Sequence, residues 1–223
     1  MADETRQDLK MVGTTSSGGG RFRSVKITGE SVLNGAVDCD KLACTGELVV
    51  KGELRSDEVK VMGECRIEGP LNAGSVRGQG EIEVKASARV ETMKMTGNVD
   101  VGGHFESGDL RLFGGFRVEG LLSAERLELR MYGPCRAKEI GGGTLIVKRS
   151  RAAALAKWIK PHSQAMLNVD IVEGDSVELE HTTAGIVRGN RVVIGPGCEI
   201  GRLEYRDSLV LHKNAIVKDQ VKL

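Results

Sequence analysis

Apolar and polar positions alternate in short stretches that recur with a 17-residue period from Val25 to Gly143. Within a block, apolar side chains concentrate at positions 1 and 3, 7 and 9, and 13 and 15. Only one residue separates the members of such a pair, so their side chains share one face of a strand. Each block therefore predicts three short, half-buried strands. Seven blocks follow one another without insertion, beginning at Val25, Leu42, Val59, Val76, Met93, Leu110 and Leu127.

Glycine marks the corners between these predicted strands, because it accepts positive φ angles and close backbone approach. It occupies the fifth position in six blocks: Gly29, Gly46, Gly63, Gly80, Gly97 and Gly114. Each block then forms one triangular turn, and turns stacked ~4.8 Å apart form a three-sided parallel β-helix, an all-β fold. A β-sandwich would need hairpin signals of the Asn-Gly type and more variable spacing.

The pattern divides the chain into five parts. Residues 1–21 mix charges with a Ser/Gly run and predict a disordered tail. Residues 22–148 predict the main β-helix, with seven regular turns and one further strand. Residues 149–165 interrupt it with a helix and linker. Residues 166–219 return to 17-residue blocks and predict a shorter β-helix segment, before a tail at 220–223.

The interruption has the features of a short amphipathic α-helix. Ser150 is a plausible N-cap, an Ala-rich stretch follows, and Pro161 ends it. Leu155, Trp158 and Ile159 fall on one face. This face either covers an open flank of the solenoid or binds a partner protein.

Composition narrows the function classes. The 223 residues carry a net charge of +1 and only 3% aromatic residues, which argues against nucleic-acid binding. The five cysteines include no CxxC pair, which predicts reduced, buried thiols in the cytoplasm and disfavours a zinc site. No apolar run approaches the ~20 residues of a membrane span. Contact with the inner face of a membrane has weak support, from Leu9, Met11 and Val12.

No catalytic constellation is apparent. The four histidines lie at different positions of different blocks, away from any nucleophile, and we expect no enzyme activity and no cofactor or metal site. The enzymatic rival is a left-handed β-helix acyltransferase. Three of its hexapeptide repeats make one turn, which is one position longer than the 17-residue block of this sequence.

The two ends of the predicted rod are the first candidate site. A terminal turn leaves backbone groups unpaired and an apolar cross-section exposed, and nothing after Asp219 is long enough to cover it. Adding a second copy end to end would bury both. The predicted polymer interface comprises Phe22, Val25 and Ile27 at one end, and Leu203, Tyr205, Leu209, Leu211 and Val217 at the other.

Charged columns along the rod are the second candidate site. Stacked turns align a basic column with an acidic one, and these either stay solvated or pair laterally between filaments. The basic column contains Lys26, Lys60, Arg77, Lys94 and Arg111, and the acidic column contains Glu30, Glu47, Glu64 and Glu81.

The 17-residue, glycine-punctuated block with a V-x-(I/V/C)-x-G start resembles that of the bactofilins, the polymer-forming cytoskeletal family of bacteria. The resemblance covers residues 22–148 well and 166–219 more loosely. It implies a right-handed helix and nucleotide-independent, non-polar filaments, alone or with a paralogue, that position cell-shape, wall or motility proteins. The interrupting helix departs from the smaller members, and the leader lacks an evident membrane-binding motif. The alternative is a solenoid that binds a partner without polymerising.

Overall fold

In a computed structural model, residues 6–150 and 165–223 are described, and their regular structure is entirely β-strand. Two strands, β2 and β6, continue through several corners without a break. The strands are β1 (Gln7–Val12), β2 (Thr15–Val50), β3 (Leu54–Ile67), β4 (Leu71–Val84), β5 (Ala88–Val101), β6 (Phe105–Arg149), β7 (Leu167–Leu179), β8 (Thr182–Ile194), β9 (Glu199–Leu211) and β10 (Ile216–Lys222).

Every strand pairs in parallel with the next strand along the chain, so one sheet runs in the order β1 to β10. Val37 faces Leu54, and Leu54 faces Leu71, so partners lie one 17-residue block apart each time. The same offset holds between β4 and β5 and between β5 and β6. The chain is therefore a parallel β-solenoid, and the predicted 17-residue turn is confirmed from β2 to β6.

The buried side chains of one turn fall into three pairs, as the apolar spacing predicts. Along β3 and into the next turn, the steps between buried residues are two, three, two, four, two and four residues, which together make one turn. The pairs in β3 are Leu54 and Ser56, Val59 and Val61, and Cys65 and Ile67.

Pairing in register places like residues above one another in columns. Leu42, Val59, Val76 and Met93 form one such column, and all four are almost completely buried. Burying each side chain of this size contributes ~1.5–3 kcal/mol. A narrow core of aliphatic columns therefore stabilises the rod with few aromatic residues.

The predicted glycine corner is a second column. Gly46 faces Gly63, Gly63 faces Gly80, and Gly80 faces Gly97. Gly80 has a φ of +127°, and a Cβ built on it would lie 1.9 Å from the carbonyl oxygen of Gly63. A side chain at this corner would both strain the backbone and collide with the turn before it.

The predicted disordered tail over residues 1–21 is wrong for the part that the structure describes. Residues Gln7–Val12 form β1, which pairs with β2, and β2 begins at Thr15. Leu9 faces Val25 and Met11 faces Ile27. Met11 packs into the core. The Ser/Gly run can form part of a strand because pairing between turns uses only backbone groups.

Two of the later turns, between β7 and β8 and in part between β8 and β9, are shorter than predicted. Val177 faces Val192, so this turn is two positions shorter than the predicted 17-residue turn. Between β8 and β9 the offset changes from 16 to 17 at an irregularity between Gly189 and Arg191. The predicted tail at 220–223 is also wrong, because β10 extends to Lys222 and pairs with β9.

The helix and linker predicted over 149–165 fall mainly on residues 151–164, which lie outside the described residues together with Leu155, Trp158 and Ile159. Ser150 and Ala165 flank that segment and are both buried. The amide of Ser150 donates to the carbonyl of Met131 at 2.9 Å, so Ser150 still belongs to the solenoid wall. Within the described ranges, no helix is long and apolar enough to cross a membrane.

Candidate functional site

The N-terminal rim of the solenoid is the free edge of β1, since β1 pairs with β2 alone. Val12 is 62% exposed there, whereas Leu9 and Met11 pack against the core. Asp8 accepts hydrogen bonds from Arg23 (3.0 Å to Nε) and from Ser24 (2.8 Å). The Arg23 guanidinium and the Ser24 hydroxyl lower the pKa of Asp8 to about 2. These contacts tie the edge strand to the following turn.

Two of the three residues predicted for this end lie one turn inside it. Val25 and Ile27 are each 1% exposed, because Leu9 and Met11 of β1 stack over them. Their assignment to a polymer contact is therefore wrong. Phe22 faces Gln7 and remains partly buried in the terminal turn.

The C-terminal rim, formed by β10 and the end of β9, is distinctly apolar. Of ten exposed large hydrophobic residues in the described chain, four fall between positions 210 and 223. They are Val210, Leu211, Ile216 and Leu223, with exposures from 43% to 58%. Leu209 and Val217 lie beside them, partly buried against the core. Such clustering of apolar surface is typical of an interaction site.

Leu203 is fully buried because Gln220 of β10 pairs with it, so its predicted place at the rim is wrong. Tyr205 faces Lys222 and is partly buried in the last turn. The C-terminal contact residues that remain from the prediction are Tyr205, Leu209, Leu211 and Val217.

A charged network fixes the turns beneath this rim. Glu204 accepts from Nε of Arg188 at 2.6 Å and from Nε of Arg202 at 2.7 Å. Arg188 also reaches Glu173 at 2.9 Å. The hydrogen bond from Arg188, and then that from Arg202, lower the pKa of Glu204 below its usual range. Because Glu173, Arg188 and Glu204 belong to β7, β8 and β9, the network links three successive strands.

The predicted charge columns are in register. Glu47 faces Glu64, which faces Glu81, and Lys60 faces Arg77, which faces Lys94. Lys94 in turn faces Arg111. Neighbours compensate part of this charge, since Arg77 pairs with Glu58 and Arg111 with Asp109 at 2.8 Å. Lys26 and Glu30 also lie exposed in β2, where Glu30 is one 17-residue block before Glu47 and Lys26 is two blocks before Lys60. Lateral pairing through the columns stays a prediction.

All five thiols are free and buried, which agrees with their predicted inward positions. Burial raises the pKa of Cys65 and Cys135 to about 12, and that of Cys44 and Cys198 to about 11. Burial also raises the pKa of Cys39.

We expect the native thiols to resist alkylation, because the reactive thiolate is scarce and shielded. With iodoacetamide at about pH 8, mass spectrometry should find the native protein nearly unmodified and the guanidinium-unfolded protein labelled at all five cysteines. Rapid native labelling of any one thiol would show that its turn opens.

Two histidines accept hydrogen bonds from backbone amides through a ring nitrogen. His104 Nδ1 accepts from the amide of Leu121, and His212 Nδ1 accepts from the amide of Asn214, both at 3.1 Å. In the part of the chain that the structure describes, no group of three or more His, Cys, Asp or Glu side chains is placed to hold a metal ion.

Sequence reasoning missed a trough of about 1140 Å³ on the third side of the solenoid. The sequence does contain one indication of the trough, namely the small residues at block position 15, such as Ala73 and Ala124. A small inward side chain appears in a periodicity as a weak apolar position, and the concavity outside it emerges only when turns are stacked.

Two proteins of Bacillus subtilis (strain 168) are similar to part of this chain. The uncharacterized protein YhbF is 38% identical over 105 residues, which cover 47% of this chain and 42% of YhbF. The uncharacterized protein YhbE is 34% identical over 108 residues, which cover 48% of this chain and 45% of YhbE. The match thus spans less than half the length of either relative. No family model matches the chain, and no solved structure matches it.

Proposed function

We propose that this protein is a self-assembling scaffold of the bactofilin kind, a right-handed, three-sided solenoid that adds copies of itself end to end without nucleotide. Its filaments hold client proteins of cell-shape, wall or motility machinery at defined places in the cytoplasm or on the inner face of the membrane. The resemblance of the 17-residue block supports the family. The two rims support the assembly.

The observation that carries the proposal is the combination of a free strand edge with exposed apolar side chains at the C-terminal rim. β10 pairs only with β9, so its outer backbone groups lack a strand partner in the described structure. Val210, Leu211 and Ile216 lie exposed at the same rim. A second molecule placed there pairs the edge and buries the apolar side chains, the two gains that stack one turn on the next.

The two rims differ in chemistry, which bears on how copies meet. The C-terminal rim is apolar, whereas the first strand after β1 begins with the Thr/Ser/Gly stretch from Thr15 to Gly20. Contact of two C-terminal rims is isologous and buries apolar surface from both partners. Contact of two N-terminal rims then continues the filament. Because both contacts join like ends, the two ends of the filament are equivalent and the filament is non-polar.

The charge columns support a lateral contact as a further part of the same proposal. A basic column on one filament faces the acidic column of another. Exposed ion pairs contribute only ~0.2–1 kcal/mol each, so lateral contacts bundle filaments that the end contacts build.

Sedimentation and negative-stain microscopy of the purified full chain without nucleotide test the proposal. We expect fast-sedimenting species and filaments of uniform width. High ionic strength should separate bundles into single filaments, because salt screens exposed charges. A strictly monomeric particle at all concentrations would overturn end-to-end assembly, and bundles that ignore salt would overturn the lateral contact.

The second candidate function is a solenoid that binds a partner and does not polymerise. The long concave trough on its third side favours this function, because a binding surface along the rod does not depend on free ends. The same sedimentation measurement separates the two functions.

A further inference from the structure

The trough runs along the rod over six successive turns. Its floor consists of one residue per turn, and all six are small or β-branched: Cys39, Ser56, Ala73, Val90, Ser107 and Ala124. Stacked turns are ~4.8 Å apart, so the six levels extend about 24 Å. The trough is long enough for a peptide of about seven or eight residues in an extended conformation.

The backbone of this floor is already used by the solenoid. Cys39 faces Ser56, Ser56 faces Ala73, and Ala73 faces Val90 within the parallel ladder. A peptide in the trough therefore cannot add a strand to the sheet here, and recognition must come from side chains on the walls.

The charged residues on one wall of the trough form ion pairs within the protein. This wall is formed by the residues one position before the floor. Arg55 pairs with Glu53, and Arg89 pairs with Glu106, both at 2.7 Å. This wall offers an incoming ligand little net charge.

The opposite wall contains carboxylates and glycines and no basic residue. It is formed by the residues one position after the floor: Asp40, Asp57, Gly74, Glu91, Gly108 and Glu125. We call it the acidic wall. A Cβ on Gly74 or Gly108 would lie 2.8 Å from the carbonyl oxygen of Asp57 or Glu91, respectively. The two turns that contain these glycines therefore have no side chain on the acidic wall.

The chain itself shows how a cation sits on the acidic wall. Arg6 Nη1 lies 2.7 Å from Oδ1 of Asp40, and the same guanidinium reaches Asp38 at 3.4 Å. The next three carboxylates, Asp57, Glu91 and Glu125, form no ion pair with any described residue. They recur at every second turn, which is about 9.6 Å along the rod.

Ser107 is a floor residue whose hydroxyl is not satisfied within the described part of the protein. It lies on the floor between the levels of Glu91 and Glu125 and is 6% exposed. Its hydroxyl has no hydrogen-bond partner in the described structure. In contrast, the Ser56 hydroxyl donates to the carbonyl of Glu58 at 3.0 Å. A buried polar atom without a partner is costly, so this level of the floor is less well satisfied than the level of Ser56.

The spacing of the free carboxylates selects the conformation of the occupant. The two walls lie two positions apart along each strand, about 6.6 Å, which is too narrow for an α-helix of about 10–12 Å diameter. An extended strand presents like-facing side chains every ~6.6 Å, out of step with the two-turn interval of about 9.6 Å. A polyproline II helix repeats every three residues, about 9.3 Å, and needs no backbone hydrogen bonds from its partner.

We propose that the trough binds a partner protein through an extended, polyproline II segment that carries a lysine or arginine at every third position. Three such side chains pair with Asp57, Glu91 and Glu125. The site runs along the rod, so it is independent of end-to-end assembly and serves a filament and a single molecule alike.

Fluorescence anisotropy with the full chain and two labelled nine-residue peptides tests the proposal. The first is Lys-Pro-Pro repeated three times. The second has the same composition, three lysines and six prolines, with lysine at every second position. We expect the first peptide to bind at least about fivefold more tightly, because only its lysines match all three carboxylates.

A pair of variants tests the assigned wall. Asp57→Asn/Glu91→Gln/Glu125→Gln should weaken binding of the first peptide by about tenfold. Glu30→Gln/Glu47→Gln/Glu64→Gln removes the same charge from another exposed column and should change it less than about twofold. All six side chains are exposed, so neither variant disturbs the core. Equal binding of both peptides, equal losses in both variants, or no binding of either peptide would overturn the proposal.

Discussion

Leu211→Arg should convert the proposed filaments into short soluble species. Leu211 lies in the apolar C-terminal rim, and in an isologous contact two copies of the new guanidinium would face the same interface. An unpaired charge buried in this way costs about 3 kcal/mol or more, which weakens association roughly 100-fold. Sedimentation velocity and filament length in negative stain measure the effect. If the N-terminal contact is separate, dimers joined through that rim should remain.

Met62→Arg is the matched control for this substitution. Met62 is 45% exposed and Leu211 is 43% exposed, but Met62 lies in β3, which is paired on both sides and away from both rims. The Met62 variant should form filaments of ordinary length. Filaments of unchanged length in the Leu211 variant, or equal disruption by both variants, would contradict the assignment of the C-terminal rim.

Gly80→Ala should destabilise the centre of the solenoid by about 2–4 kcal/mol. The residue has a φ of +127°, and the added Cβ would lie 1.9 Å from the carbonyl oxygen of Gly63. That carbonyl belongs to the backbone of the previous turn, so it cannot move without breaking the ladder between β3 and β4. In a solenoid each turn contacts only its neighbours, so the damage should be local. Urea unfolding measures the loss, and hydrogen exchange should locate it in the turns around Gly80.

Gly133→Ala tests whether this cost comes from the corner geometry. Gly133 is the corner glycine of the seventh block, but a Cβ there would have no neighbouring atom within 4 Å. Its stability should change by less than about 0.5 kcal/mol. A similar loss in both variants would contradict the assignment of the cost to the stacked glycine column, because the effect of Gly→Ala on the unfolded chain by itself favours folding.

The solenoid turn was predictable because its causes are local and repeated. Two apolar residues separated by one polar residue specify which face of a strand is buried, and a glycine at the fifth position of six blocks marks a corner where a side chain would not fit. Both signals recur along the seven blocks, and pairs such as Leu54 with Leu71 and Gly63 with Gly80 confirm them. The same reasoning placed at least four of the thiols inside the rod, and all five are buried there.

The two ends were harder to read from residue types. The Ser/Gly stretch after Val12 looked disordered, yet it continues the ladder, because backbone pairing with the next turn does not depend on side chains. Val25, Ile27 and Leu203 looked terminal only because the turns that cover them were not recognised. The shortening of the turn by two positions after β7 was also missed, since a corner that loses two residues leaves the apolar pairs intact.

The amino-acid pattern thus establishes which side chains face inward, how long a turn is over the first seven blocks, and which corners require glycine. Stacking alone establishes where the rims lie and what the outer surface offers. Leu211 is exposed at an apolar edge because of the strands that pair beneath it, and Asp57, Glu91 and Glu125 align at two-turn intervals only once the turns are superposed. The physical reason is range: inward or outward orientation depends on immediate neighbours in the chain, whereas a rim or a trough is assembled from residues that lie a whole turn or more apart.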